Sequence, residues 1–148
     1  ASILMPYKKG TSKLSINWGL LAFLCYRNIE QVAENGGVNV LGRALIYGGV
    51  GIDTVAPNKI FIGNNVAITA GTRILTHYLD PSRSGRMFRI GEVHIEDDVF
   101  IGVNVVICNS VTIGKGAIVG AGSIVTKDIS PYQVWAGNPA RYIKAREH

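Results

Sequence analysis

The chain has 148 residues, is 47% hydrophobic and carries a formal net charge of +5, which suits a single domain able to bury a sizeable core. Its 15 lysines and arginines are dispersed, with no basic helix and no aromatic–basic alternation, so nucleic acid is excluded as a partner while an anionic ligand stays open. Two cysteines, Cys25 and Cys108, are too few for a disulfide framework, and Cys108 reads as a buried reduced thiol at a site that elsewhere holds glycine.

Residues 1–35 carry no repeat. Leu14 to Tyr26 is rich in apolar side chains, but Ser15, Asn17 and Gly19 interrupt it and it is too short to cross a bilayer. Lys8, Lys9 and Lys13 precede it as in a signal peptide, yet no small-residue cleavage site follows. The expectation is a cap over the open end of the next domain, with a peripheral membrane contact through Trp18, Leu20, Leu21, Phe23 and Leu24 as the alternative.

From residue 36 to 128 an apolar residue recurs every six positions. Ile95, Ile101, Ile107, Ile113, Val119 and Val125 form the longest run, preceded two residues earlier by Val93, Val99, Val105, Val111, Ala117 and Ser123. Ile62, Ile68 and Ile74 keep the same phase, as do Val40, Ile46 and Ile52. Six matches neither the 3.6 of a helix nor the 2.0 of a plain strand. It fits short strands joined by corners and stacked as an all-β solenoid, where each residue meets its counterpart one coil away.

Two steps break the phase. Between Ile52 and Ile62, Pro57 and Asn58 mark a turn; between Ile74 and Ile95 an excursion at residues 79–91 carries Arg83, Arg86, Met87, Phe88 and Arg89 on an exposed loop. The stretch from 129 to 148 leaves the repeat and is expected to form a short C-terminal tail.

The runs Val99–Gly102, Val111–Ile129 and Trp135–Arg141 resemble the hexapeptide-repeat acyltransferases, most nearly their maltose and galactoside O-acetyltransferase branch, over roughly residues 38 to 146. The resemblance implies a left-handed parallel β-helix, although crossovers are usually right-handed. It also implies a cytoplasmic bacterial homotrimer, membrane-associated if the N-terminal segment makes its contact, that takes acetyl-CoA as co-substrate between neighbouring chains and needs no metal.

Among the three histidines, His148 is terminal and His94, next to inward Ile95, points outward as a solvated side chain. His77 stands where the solenoid gives way to the excursion, and Thr76-His77 followed by Asp80-Pro81 matches the context of the family's catalytic histidine. A neutral imidazole can take the proton of a sugar hydroxyl as its oxygen attacks a thioester, a role worth roughly 10²–10⁴ in rate. Asp80 or a backbone carbonyl would fix its tautomer.

The same resemblance assigns Ala121, Gly122, Thr126, Lys127, Arg141 and Lys144 to the coenzyme, whose phosphates suit basic groups. The family's acceptor-holding asparagine has no clear match, since Gly49 falls there with Asp53 nearby. Asp53, Asp80, Arg83, Arg86 and Met87 are the expected acceptor contacts, and three arginines would suit a phosphorylated, nucleotide-linked or acidic sugar. The function implied is O-acetylation of a saccharide or cell-surface polysaccharide precursor. N-acetylation of an amino sugar or nucleotide-sugar and a non-catalytic scaffold are the alternatives. A zinc enzyme of the γ-carbonic-anhydrase type needs three histidines per metal, and no third repeat-borne histidine exists.

Overall fold

The structure of the protein is a computed structural model that describes residues 37–147. The expected cap, its membrane-facing alternative and His148 lie outside the described residues.

The chain visits three parallel sheets in turn. The first contains Asn39–Val40, Ile60–Ile62, Val93–Ile95 and Val111–Ile113. The second stacks Ala44–Ile46, Val66–Ile68, Phe100–Ile101 and Ile118–Val119, and the third Gly51–Ile52, Arg73–Ile74, Val106–Ile107 and Ile124–Val125. Register follows the six-residue phase: Ile62 pairs with Ile95 and Ile95 with Ile113, while Ile68 pairs with Ile101 and Ile101 with Val119. Each strand is two or three residues long, so one inward pair and one corner make up each repeat.

The inward ladders are the core. Ile60, Ile62, Ile68, Ile74, Ile101, Ile107, Ile113, Val119 and Val125 are all fully buried, and β-branched side chains pack well on such pleated surfaces. Burying each is worth roughly 1.5–3 kcal/mol. Val40, Val50 and Ile52, in the first described coil, are only partly buried against this cluster.

Corners fall where residues tolerate left-handed backbone. Asn65, Asp98, Asn104 and Asn109 have φ between 56° and 69°, and Asn and Asp pay less for that conformation than other side chains. Gly102 is small for a different reason: a Cβ there would come 2.6 Å from the Ala121 nitrogen in the next coil. Cys108, at the equivalent position, is half-buried, with its thiol donating to the Val125 carbonyl at 3.4 Å, and burial pushes its pKa up.

The excursion is more ordered than an exposed loop. His77–Leu79 and Phe88–Ile90 form an antiparallel hairpin, although every residue from 81 to 90 is exposed. Beyond Val125 the six-residue phase ends, and Ile129 bridges to Ile113 and is buried. Gln133–Ala136 then extends the second sheet, and Arg141–Ala145 pairs antiparallel on its edge. The C-terminal stretch is therefore a hairpin on the sheet. No helix among the described residues is long and apolar enough to cross a membrane.

Candidate active site

His77 lies where the third sheet ends and the hairpin begins. Leu75 still donates to the Ile107 carbonyl at 2.9 Å, continuing the coil; from Thr76 onward the chain turns out. In the preceding coil Ile52 pairs with Ile74, and Asp53 donates its backbone N–H to the Ile74 carbonyl at 2.9 Å. Coil stacking thus sets the Asp53 side chain beneath Thr76 and His77.

The Asp53 carboxylate is almost wholly buried and fully engaged. The Thr76 backbone N–H and hydroxyl donate to Oδ2 at 2.7 and 2.9 Å, the His77 N–H at 3.1 Å, and Val55 N–H to Oδ1 at 2.9 Å. His77 Nδ1 is 2.6 Å from Oδ2. Burial alone would push the acid up, but the hydrogen bonds from Val55, Thr76 and His77 outweigh it and hold the carboxyl far below its ordinary range. An ionised carboxylate only accepts, so Nδ1 carries the proton and Nε2 of the neutral ring keeps its lone pair. The His77 side chain is 34% exposed and its partner 2%, so the ring is held from behind and open in front.

Asp80, expected as one of two groups that could orient His77, does not hold its Nδ1; Asp53 does. Asp80 is buried at the hairpin root, taking the Ser82 N–H and hydroxyl at 2.9 and 2.6 Å and pairing with Arg89 at 2.8 Å and Arg83 at 3.5 Å. The Ser82 hydroxyl, then Arg89, lowers its pKa. Two of the three arginines are thereby tied to an acid, while Arg86 and Met87 stand exposed near the tip. Asp53, expected as an acceptor contact, faces His77 from the interior. The sequence signal for this was indirect: Asp53 directly follows anchor Ile52, as Leu75 follows Ile74, so the phase sets it one coil from Leu75, beside the Thr76–His77 pair.

The coenzyme candidates fall on two edges. Thr126 and Lys127 occupy the corner after the third sheet, in the column that holds Leu75 and Cys108, and the Asn109 side-chain amide donates to the Thr126 carbonyl at 3.3 Å. That is the edge of His77. Ala121 and Gly122 lie exposed at the corner between second and third sheets. Arg141 joins them, because Ala140 N–H donates to the Ile124 carbonyl at 2.8 Å and Ile124 N–H to the Gly137 carbonyl at 3.0 Å. Lys144 is farther along the same strand, opposite Val134.

His94 points outward from the first sheet, as expected. It stacks on Phe61 at 4.6 Å between centroids and sits 3.1 Å from Glu92, which also pairs with Lys59 at 2.9 Å. Lys59 and then His94 lower the Glu92 pKa. A depression of about 420 Å³ lined by Lys59, Glu92, His94, Ser110 and Asp128 adjoins this group and does not contain His77.

Comparison with known proteins bears on the fold and the family. Residues 92–127 match the model of the hexapeptide repeat of succinyl-transferase. A galactoside O-acetyltransferase of Lactococcus lactis is 35% identical over 118 residues, 78% of this chain and 57% of that protein. A 2,3,4,5-tetrahydropyridine-2,6-dicarboxylate N-acetyltransferase of Staphylococcus aureus is 46% identical over 82 residues, 55% of this chain and 31% of that protein. The chain spans about half the length of the curated relatives it matches. The solved maltose O-acetyltransferase of Clostridium difficile 630 superposes with a TM-score of 0.64 at 30% identity, covering 83% of this chain and 77% of that one. With three parallel sheets built on a six-residue phase and this likeness over most of both chains, the protein belongs to the hexapeptide-repeat acyltransferases and shares their left-handed parallel β-helix.

Proposed function

We propose that the protein is an acetyl-CoA-dependent O-acetyltransferase of saccharide hydroxyls, acting in the cytoplasm, with His77 as general base. The observation that carries this reading is the 2.6 Å contact of His77 Nδ1 with buried Asp53. A carboxylate behind Nδ1 leaves Nε2 as the accepting atom and stabilises the imidazolium that forms. The acceptor oxygen attacks the thioester carbonyl carbon while its proton passes to Nε2. The tetrahedral intermediate then collapses, the carbon–sulfur bond breaks, and the imidazolium returns the proton to the departing thiolate. No covalent enzyme intermediate is needed.

Assembly as a homotrimer completes this reading. His77 with Thr126 and Lys127 on one edge, and Ala121, Gly122 and Arg141 on another, form two half-sites that a neighbouring copy brings together. Arg141 and Lys127 supply positive charge for the coenzyme phosphates.

The test is release of free thiol from acetyl-CoA with a panel of sugars and amino sugars, alongside light scattering. Sugar-dependent thiol release by a species three chains in mass is the expected result. Amino sugars as the sole acceptors would move the assignment to N-acetylation, and no thiol release with any acceptor would overturn the enzyme reading.

A further inference from the structure

Ser123 stands in the inward ladder where Val105 stands one coil earlier: Val106 pairs with Ile124, and the Val106 N–H donates to the Ser123 carbonyl at 2.9 Å. Both Val105 and Ser123 are fully buried. A hydroxyl in such a core costs free energy unless it is bonded, and this one is bonded twice. It donates to the Gly120 carbonyl at 2.5 Å and accepts from the Gly137 N–H at 3.1 Å.

Its two partners belong to different segments. Gly120 opens the corner that carries Ala121 and Gly122, and Gly137 opens the turn that leads through buried Ala140 to Arg141. Main-chain bonds tie the same turn to the residue after Ser123: Ile124 N–H donates to the Gly137 carbonyl at 3.0 Å and Ala140 N–H to the Ile124 carbonyl at 2.8 Å. The Ser123 hydroxyl is the side-chain bridge from that turn to the corner. We infer that Ser123 is a positioning residue for the coenzyme, an assignment that rests on the coenzyme reading of Ala121, Gly122 and Arg141. Its hydroxyl fixes the spacing between corner and turn before the donor arrives, so both meet one ligand without first being ordered, which would weaken binding. Ser123 is 0% exposed, so it touches neither the coenzyme nor a neighbouring copy.

The experiment compares the full chain with Ser123→Thr and Ser123→Val, which match in shape and differ by the hydroxyl. Valine fills the position as Val105 does one coil earlier, and Ser123→Ala removes the hydroxyl without adding volume. Calorimetry with coenzyme A, steady-state rates with acetyl-CoA and amide exchange at Gly137 are the readouts. Ser123→Val and Ser123→Ala should each weaken coenzyme A binding and raise acetyl-CoA KM by up to about tenfold. Their kcat and acceptor KM should hold, and the Gly137 amide should exchange faster. Ser123→Thr should keep the values of the unmutated chain. A lower melting temperature with donor affinity unchanged in the folded molecules would make Ser123 a purely structural residue and overturn the inference. So would equal weakening by Ser123→Thr and Ser123→Val, or failure of both hydroxyl-free variants to fold. An unmutated chain that binds no coenzyme A would overturn the coenzyme reading itself, and this inference with it. Equal binding by the unmutated chain and Ser123→Val would overturn this inference alone.

Discussion

Asp53 and His77 are 24 residues apart in sequence, and their side chains meet at 2.6 Å because one coil of the solenoid lies directly on the next. The carboxylate is buried and the imidazole half-open, the order a proposed general base needs to keep one ring nitrogen protonated and offer the other.

His77→Ala should reduce kcat by roughly 10²–10⁴, the worth of a positioned general base, while melting and donor affinity hold. The ring sits at a junction and supports no part of the core. His94→Ala is the matched control and should change turnover only mildly, since His94 meets Glu92 and Phe61 on the outer face of the first sheet. Initial rates and melting curves of the two variants decide the point.

Asp53→Asn keeps the shape of the contact and reverses its chemistry. The amide can donate to Nδ1, which moves the proton to Nε2 and removes the accepting atom, so kcat/KM should fall by roughly 10²–10⁴. Stability should respond to acid as well. The folded-state pKa of Asp53 is depressed below the ordinary 3.8, so the group stabilises the fold above that value and the contribution is lost as pH falls through it toward the folded pKa. Melting temperatures should therefore drop less steeply below pH 3.8 in Asp53→Asn than in the unmutated chain. Parallel acid limbs would show that this carboxylate is not held ionised.

Lys127→Ala and Arg141→Ala should each raise the KM for acetyl-CoA with a smaller effect on kcat, because a remote phosphate is bound alike in ground and transition states. Their placement on different edges adds a mixing test. Coassembled His77→Ala and Arg141→Ala chains should regain about a quarter of the intact sites in a random oligomer. His77→Ala with Lys127→Ala should regain almost none, since those residues share an edge. Equal recovery in both mixtures would contradict a site divided in this way.

Ile101→Ala removes a fully buried side chain that pairs with Ile68 on one side and Val119 on the other. It should cost about 2–5 kcal/mol, read by denaturant unfolding, with catalytic constants unchanged in the molecules that remain folded.

The solenoid was legible because its rule is local and repeated. Ile95 and Ile113 stand in one ladder, three six-residue steps apart, and so do Ile101 and Val119; Ile62 and Ile68 join those ladders across the excursion as the first and second anchors of their own block. His77 was marked by the residues around it. Its partner was harder to see, since Asp80 is three residues away in the chain while Asp53 is near only after the coils stack. The excursion read as a loop because its arginines, serines and Gly85 carry no alternation strong enough to announce Phe88–Ile90 as a strand. Its order comes from Asp80, a buried acid whose partners in Ser82, Arg83 and Arg89 are fixed only once the chain folds back.

Asp53 belongs to the first described coil, where Ala44–Ile46 and Gly51–Ile52 each pair with a neighbouring strand on one side alone among the described residues. Stacked repeats loosen from their ends inward. With the orienting acid on the first described turn, turnover can be lost while the ladders from Ile60 onward remain intact. Heat inactivation would then run ahead of the main melting transition, and slowed exchange at the Asp53 amide, bonded to the Ile74 carbonyl at 2.9 Å, would mark how firmly that turn is latched to the next.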